Sequence, residues 1–468
     1  MKKFWIILFL SLQSTFCLAQ QIIWAKQFLI GSRYTLLTSM FQKQDSSFVL
    51  GGESRYFGIR LPITGVGYTG TAVIFCTKNG DTTKTVNLKT YGSHPKVCQS
   101  VFNEIFVGTS VTWDTLLHSK IRIFKLDSEG NILWTRFLFA PTYDRGQVTK
   151  LMATPDGGCM VLGHAASVFG AWSDWFLLKY SFSGELEWSQ RYNNGGTCEA
   201  NNIEPMPGGN YLISGTVDNR IWSVVVDVNG QQLSNHFFHN SPNPYIVYGA
   251  SVIQVPGKAF ISSSSQNINN SYTSFVGKFD SLKAKVWGGY RQIGLLQPRA
   301  SADGGYSNVE GQPGDSNYLR KYTPDSLLLW SVTIGKNSRG QFNDMVYDGF
   351  GSAVLAGYKK DALGTDNAYL VKVANMGLPF DPTKNKEIYD AEPFKKLIAY
   401  PNPCSENLYF KNVFYPSKIE VFDMLGRKKA QFQILPGEGV SLKDLPKGQY
   451  LVRVEAERKA RVVRILKE

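Results

Sequence analysis

Charge is scarce in this chain: Asp, Glu, Lys and Arg together supply 19% of its 468 residues. No helical periodicity is sustained anywhere, which argues against a helical bundle or coiled coil. Cysteine is scarce too. Of the six, Cys17 lies near the start, leaving Cys76, Cys98, Cys159, Cys198 and Cys404. An odd number with no C-x-x-C pair argues against a disulfide framework; only an incidental Cys159–Cys198 bridge stays open. The five histidines are His94, His118, His164, His236 and His239. Only His236-x-x-His239 brings two imidazoles near each other, a spacing that is not diagnostic of a metal site in a strand or turn. G-x-S-x-G elbows, H-E-x-x-H and phosphate loops are missing. No catalytic residue, metal or cofactor is therefore assigned.

Long apolar runs are also missing. The one clear run, Phe4 to Leu12, is too short to span a bilayer. It follows Lys2-Lys3 and precedes Cys17-Leu18-Ala19, so residues 1–19 read as a secretory signal cut after Ala19. The net charge is +13, but the basic residues are spread out and form no dense patch, so no nucleic-acid partner is expected.

What the chain does have is aromatic residues (13%), 44 glycines, and repetition. The stretch Gln147–Tyr192 reads as four short strands separated by turns such as Asp156-Gly157-Gly158 and Ser183-Gly184. Its third strand ends in a signature of Lys, an apolar residue and Asp or a substitute, then Gly and Trp. Lys125-Leu126-Asp127 leads to Gly130 and Trp134, and Lys179-Tyr180-Ser181 to Gly184 and Trp188. Lys278-Phe279-Asp280 leads to Trp287, and Lys321-Tyr322-Thr323 to Trp330. Weaker copies end at Gly80, Gly230 and Gly377, giving seven copies 43 to 54 residues apart. The second strand carries its own marker, an apolar run ending in Gly51, Gly108, Gly163, Gly215, Gly311 or Gly357, with Ser262 completing the series.

Four strands repeated at this period predict an all-β, seven-bladed β-propeller over residues 20–378. The repeated Trp should pack between adjacent blades, contributing roughly 1.5–3 kcal/mol where well buried. The seventh unit has no fourth strand of its own. The stretch Ile22-Ile23-Trp24 matches Ile132-Leu133-Trp134 and Leu328-Leu329-Trp330, so the N-terminal strand is expected to fill the gap and close the ring. The blade signature resembles quinoprotein-like and related bacterial propeller repeats, which implies the ring but no activity.

Residues 379–396 read as a linker. After it come Tyr400-Pro401-Asn402-Pro403, Val421-Phe422-Asp423-Met424-Leu425-Gly426-Arg427, Leu445-Pro446-Lys447-Gly448-Gln449-Tyr450 and a basic last strand. Alternation at Ile419, Val421, Tyr450, Val452 and Val454 predicts a small Ig-like β-sandwich over 397–468. The order of these segments resembles the type A C-terminal sorting domain of the Bacteroidetes type IX secretion system. That resemblance implies export through the periplasm and passage through a dedicated outer-membrane translocon. It also implies removal of the tail by a sortase-like peptidase, followed by release or by attachment to surface lipopolysaccharide. Tyr400, Pro401, Asn402, Pro403, Asp423, Gly426, Arg427, Gly448 and Tyr450 are the residues that match.

For the propeller itself, long aromatic loops suggest a ligand face built from Arg55, Tyr56, Phe57, Tyr68, Trp113, Phe169, Trp172, Trp175 and Tyr272. Such a face would stack on a glycan or grip a protein. Two other readings stand beside it: a hydrolase or lyase with its site in the central funnel, and a spacer with no ligand.

Overall fold

The computed structural model describes residues 22–468 apart from 31–33, 56–68, 113–118, 139–144, 167–171, 194, 219, 241–246, 257–258, 269–270, 292–293, 296–297, 312–315, 336–339, 349–350, 375, 377–397, 412–416, 424–426, 435–437 and 457–458. The fold is all-β, and among the described residues a 3-10 turn, Pro207–Gly209, lies between strands.

Strands hydrogen-bond antiparallel in groups of four. Cys198–Pro205, Tyr211–Val217, Arg220–Val226 and Gln232–Asn240 form one such sheet, and Val247–Val255, Ala259–Ile268, Ser271–Phe279 and Lys285–Arg291 form the next. In a third, the short pieces Gly294–Leu295 and Arg299–Ala300 both pair with Tyr306–Gly311. Upstream, three groups run together into one eleven-stranded sheet. They join because Thr82–Gln99 is a single long strand: it pairs with Thr69–Cys76 through its first half and with Ile105–Thr112 through its second. A parallel bridge between Ser119 and Arg145 adds the third group.

Ile22–Phe28 pairs with none of its sequence neighbours. It lies antiparallel to Asp366–Val373, with Trp24 opposite Lys372 and Ala25 opposite Val371, at the edge of the sheet that also holds Gly340–Tyr347 and Ala353–Lys360. The expected loan of this strand to the last unit is therefore present.

Two hairpins in most groups use the same turn. In Asp127–Asn131 the carboxylate of Asp127 accepts from the amides of Glu129 and Asn131, and the Gly130 amide donates to the Asp127 carbonyl. Gly130 has a φ of +87°, which glycine adopts without strain. Where the sequence lacks that glycine, the backbone keeps the shape: Lys283 and Ser326 both have a φ of +66°.

Three of the four signature lysines join one group to the next, while Lys179 pairs with Asp156 and Glu187 of its own group. The Nζ of Lys125 donates to the Phe182 carbonyl, that of Lys278 to Pro324, and that of Lys321 to Met376. Phe182 and Pro324 occupy equivalent turns of the following units. The indole Nε1 of Trp134 and of Trp287 donate to the same Phe182 and Pro324 carbonyls. The indoles also cover the turn glycines. A Cβ added at Gly184 would lie 2.7 Å from Trp134, one at Gly230 2.6 Å from Trp188, and one at Gly80 2.7 Å from Trp24. The Trp24 contact makes the borrowed strand touch the first group.

Apolar clusters fill the spaces between groups. Leu162, Trp175 and Leu177 pack with Ile213, Trp222 and Val224, and the two indole rings lie 4.5 Å apart. Leu37, Leu50 and Ile74 pack with Val354, Ala356 and Leu370, joining the first group to the last. The second-strand glycines allow these strands to sit close. A Cβ at Gly163, Gly215 or Gly357 would fall 2.1, 2.0 or 2.0 Å from the first strand's carbonyl of Gln147, Glu199 or Gln341. All five described cysteines are free thiols, Cys159 and Cys198 among them. Burial pushes Cys98 and Cys198 up to about 12, which leaves them protonated and unreactive.

Residues 398–468 form two sheets of their own. Ile398–Tyr400, Asn407–Lys411 and Gly439–Ser441 make one; Lys428–Ile434, Ser417–Asp423, Gly448–Ala456 and Lys459–Lys467 make the other. They share one core that includes Leu408, Phe410, Ile419, Val421, Val452, Val454 and Ile465.

Candidate functional site

The first strands of successive groups contact one another in series, and Thr35–Gln42 also contacts Gly340–Tyr347. Met40, from the first group, donates its amide to Asp344 Oδ2 at 2.9 Å, and Asn343 Nδ2 donates to the Leu37 carbonyl at 2.7 Å. Between these strands lies a cavity of about 640 Å³. Its lining includes Thr38, Met40, Lys96, Leu151, Lys150, Asn343, Asp344 and Tyr358.

Register explains which side chains reach it. Ser39, Lys96, Lys150 and Asp344 line the cavity, and each precedes by four residues the turn that ends its strand, opening at Lys43, Ser100, Thr154 and Asp348. Glu204 and Arg299 stand two residues before the corresponding turns at Met206 and Ser301. Strand side chains two apart share a face, so the two sets form successive tiers.

The charges in these tiers are unevenly matched. Asp344 is fully engaged: it accepts from Arg299 at 2.9 Å and from the amides of Met40 and Met345. Burial would raise its pKa, but Lys150 and Arg299 pull harder, and its carboxyl sits below the usual range. Burial raises Glu204, against Arg299 and Lys150. Lys96 donates to the Thr38 carbonyl at 3.1 Å. Burial, with a contribution from neighbouring Lys150, brings its pKa down to about 8. Lys150 is lowered by burial as well, and among the described residues it has no hydrogen-bond or ion-pair partner.

Of the aromatic face read from the sequence, only the Trp175 side chain lies among the described residues. Tyr56, Phe57, Tyr68, Trp113 and Phe169 lie outside the described residues. So do the side chains of Arg55, Trp172 and Tyr272, although their backbones lie in strands. Trp175 is fully buried against Trp222, where it packs neighbouring sheets together. His236 lies edge-on to Phe238 with ring centroids 4.9 Å apart.

In the C-terminal module the matched residues fix turns and edges. Pro401 and Pro403 follow cis peptide bonds. Between them, Asn402 donates its amide to the Arg464 carbonyl at 3.0 Å and accepts from the Leu466 amide at 2.9 Å, which docks the segment on the last strand. The Cys404 amide adds a bond to the Leu466 carbonyl. Asp423 accepts from the Arg427 amide at 3.0 Å and from its guanidinium at 2.8 Å, while Gly426 lies outside the described residues. Gly448 opens the strand that carries Tyr450, whose hydroxyl donates to the Pro446 carbonyl at 2.8 Å. Tyr400 is exposed and stacks at a tilt on Tyr409.

Residues 398–468 match the secretion system C-terminal sorting domain. The sorting domain indicates secretion by the type IX system, to the cell surface or outside. No helix among the described residues is long and apolar enough to cross a membrane.

No curated protein matches the chain. Solved structures similar to it include a protein of unknown function from Bacteroides caccae, with 12% identity and a TM-score of 0.37 over 64% of this chain and 94% of that one. The β-propeller domain of the Trilobed protease from Pyrococcus furiosus, with an open velcro topology, has 9% identity and a TM-score of 0.42 over 75% and 98%. The polysaccharide lyase Uly1 has 8% identity and a TM-score of 0.45 over 72% and 90%.

Proposed function

We propose that this is an exported binding protein made of a signal peptide (1–19, cut after Ala19), a seven-bladed β-propeller (20–378), a linker (379–396) and an Ig-like sorting domain (397–468). The match at 398–468 is the observation that carries the export reading. The type IX translocon and a sortase-like peptidase are the partners that follow from it, with release or attachment to surface lipopolysaccharide as the end of the route. The propeller reading rests on the serial contacts of the first strands and on the pairing of Ala25 with Val371.

Outside the cell the propeller binds a glycan or protein. Glycoside hydrolysis by two carboxyl groups needs both of them free at the bond. Asp344 is the one carboxylate among the described lining residues, and Arg299 and two amides occupy it. Binding therefore fits the cavity better than hydrolysis does.

Deleting Leu397–Glu468 should leave the protein folded in the periplasm and absent from the cell surface and medium. Continued surface display without the tail would sink the export reading. A glycan and peptide array probed with the exported protein tests the binding reading, which a blank array would overturn.

A further inference from the structure

The cavity between the first strands holds an arrangement that is incomplete without an anion. Lys96 and Lys150 line the same space, and their charges oppose each other there. Every carboxylate close enough to act on them is committed elsewhere or set back. Asp344 is held by Arg299 and two amides. Glu53 accepts from the Tyr34 hydroxyl at 3.2 Å and from the His94 amide, with the His94 ring 3.5 Å away. Glu204 lies one tier away and forms no ion pair with either lysine. Lys150 thus faces a partly desolvated space as an ammonium with three unused donors. Asp344 offsets part of the cost of holding that charge without a hydrogen-bonded partner, and an anion bound to the free donors would offset more.

The chemistry of the remaining lining narrows the anion. Phosphate sites usually offer a guanidinium fork or a nest of backbone amides. Here Arg299, the one guanidinium acting on these lysines or on Asp344 among the described residues, is used on Asp344 and the Met345 carbonyl. Two separate lysines suit a singly charged carboxylate. Around them, Gln341, Asn343 and Tyr358 present neutral polar groups, and Leu36, Met40 and Val97 supply an apolar wall. A volume of 640 Å³ lies within the roughly 300–1,000 Å³ of small-molecule sites. Hydroxyl-bearing rings with one carboxylate match all three features.

We propose that this cavity binds a hexuronate, with Lys150 as the ammonium that receives its carboxylate and Lys96 as the second cation. The proposal deepens the binding reading above and rests on it. It makes Lys150 a specificity-determining residue, because an uncharged sugar would leave its ammonium without a partner.

The test is calorimetric titration of the full chain with sodium D-glucuronate, D-glucose and inorganic phosphate in turn. Glucuronate should saturate one site per chain, with glucose at least about tenfold weaker. Lys150→Met should weaken glucuronate at least about tenfold with an unchanged melting temperature, and Lys150→Arg should keep most of the affinity. Affinity should fall as salt rises. Equal binding of glucose, tighter binding of phosphate, or an unaffected Lys150→Met would each overturn the proposal. If glucuronate fails while the array still returns a ligand, this cavity is wrong and the binding reading survives; if both fail, both are lost.

Discussion

The two parts of this molecule hold together in opposite ways. In the C-terminal module, two sheets close on a core that draws no residue from elsewhere: Val421, Val452 and Val454 are fully buried among their own neighbours. In the repeated region no sheet is self-sufficient. Its apolar clusters lie between groups, and side chains such as Lys125 and Trp134 are anchored on the turn of the next unit. A damaged core residue should therefore act locally in the module, whereas a damaged junction should act on the groups at both sides of it.

The largest expected effect lies in the module. Val421→Asp places a carboxylate in a fully buried site and should cost about 4 kcal/mol or more. Hydrogen exchange should then show residues 398–468 unprotected and the strands of residues 22–373 unchanged; protection lost in both would mean the two parts are not independent. Next comes the junction made by the borrowed strand. Trp24→Ala should cost about 2–3 kcal/mol and lower the melting of the repeated region by several degrees while leaving the module's exchange intact. A melting temperature equal to that of the unaltered protein would contradict the junction.

Titration separates the two parts by pH. Burial lowers His164 to about 4, below the ordinary 6.5 of an unfolded histidine. Between those values the unfolded chain takes up a proton that the folded one refuses, so stability falls as pH drops from about 6.5 to 4. His164→Gln should flatten that slope, and only in the repeated region. Lys96, at about 8 in the fold, works at the other end. The unfolded chain stays protonated up to its ordinary 10.5, so this contribution to stability rises from pH 8 to 10.5. Glucuronate affinity should fall over the pH range in which Lys96 discharges; a flat affinity profile would take Lys96 out of the site. The smallest effect is a gain. Lys283 holds a φ of +66° where sister turns have glycine, and Lys283→Gly should stabilise by about 1 kcal/mol, measured by denaturant titration.

The turns and junctions were legible in the sequence because their chemistry is local. A Gly at positive φ and a Trp a few residues on recur with the hairpin they serve, and the loan of Ile22–Phe28 followed from counting strands. The cavity was not legible. Lys96, Lys150 and Asp344 each follow a β-bulge that the sequence does not announce, and only the serial contact of the first strands brings them together. A register signal was present all the same: each stands four residues ahead of its turn, and aligning the units on their first hairpin would have lined them up. Trp175 misled for the opposite reason. An aromatic near a loop reads as exposed until the neighbouring sheet supplies Trp222.

The strand Ile22–Phe28 has one more consequence. Its partner, Asp366–Val373, comes after every other strand of the repeated region. A chain interrupted midway would leave Trp24 and its neighbours without a mate. The first strand's pairing thus waits until the whole repeated region has been made.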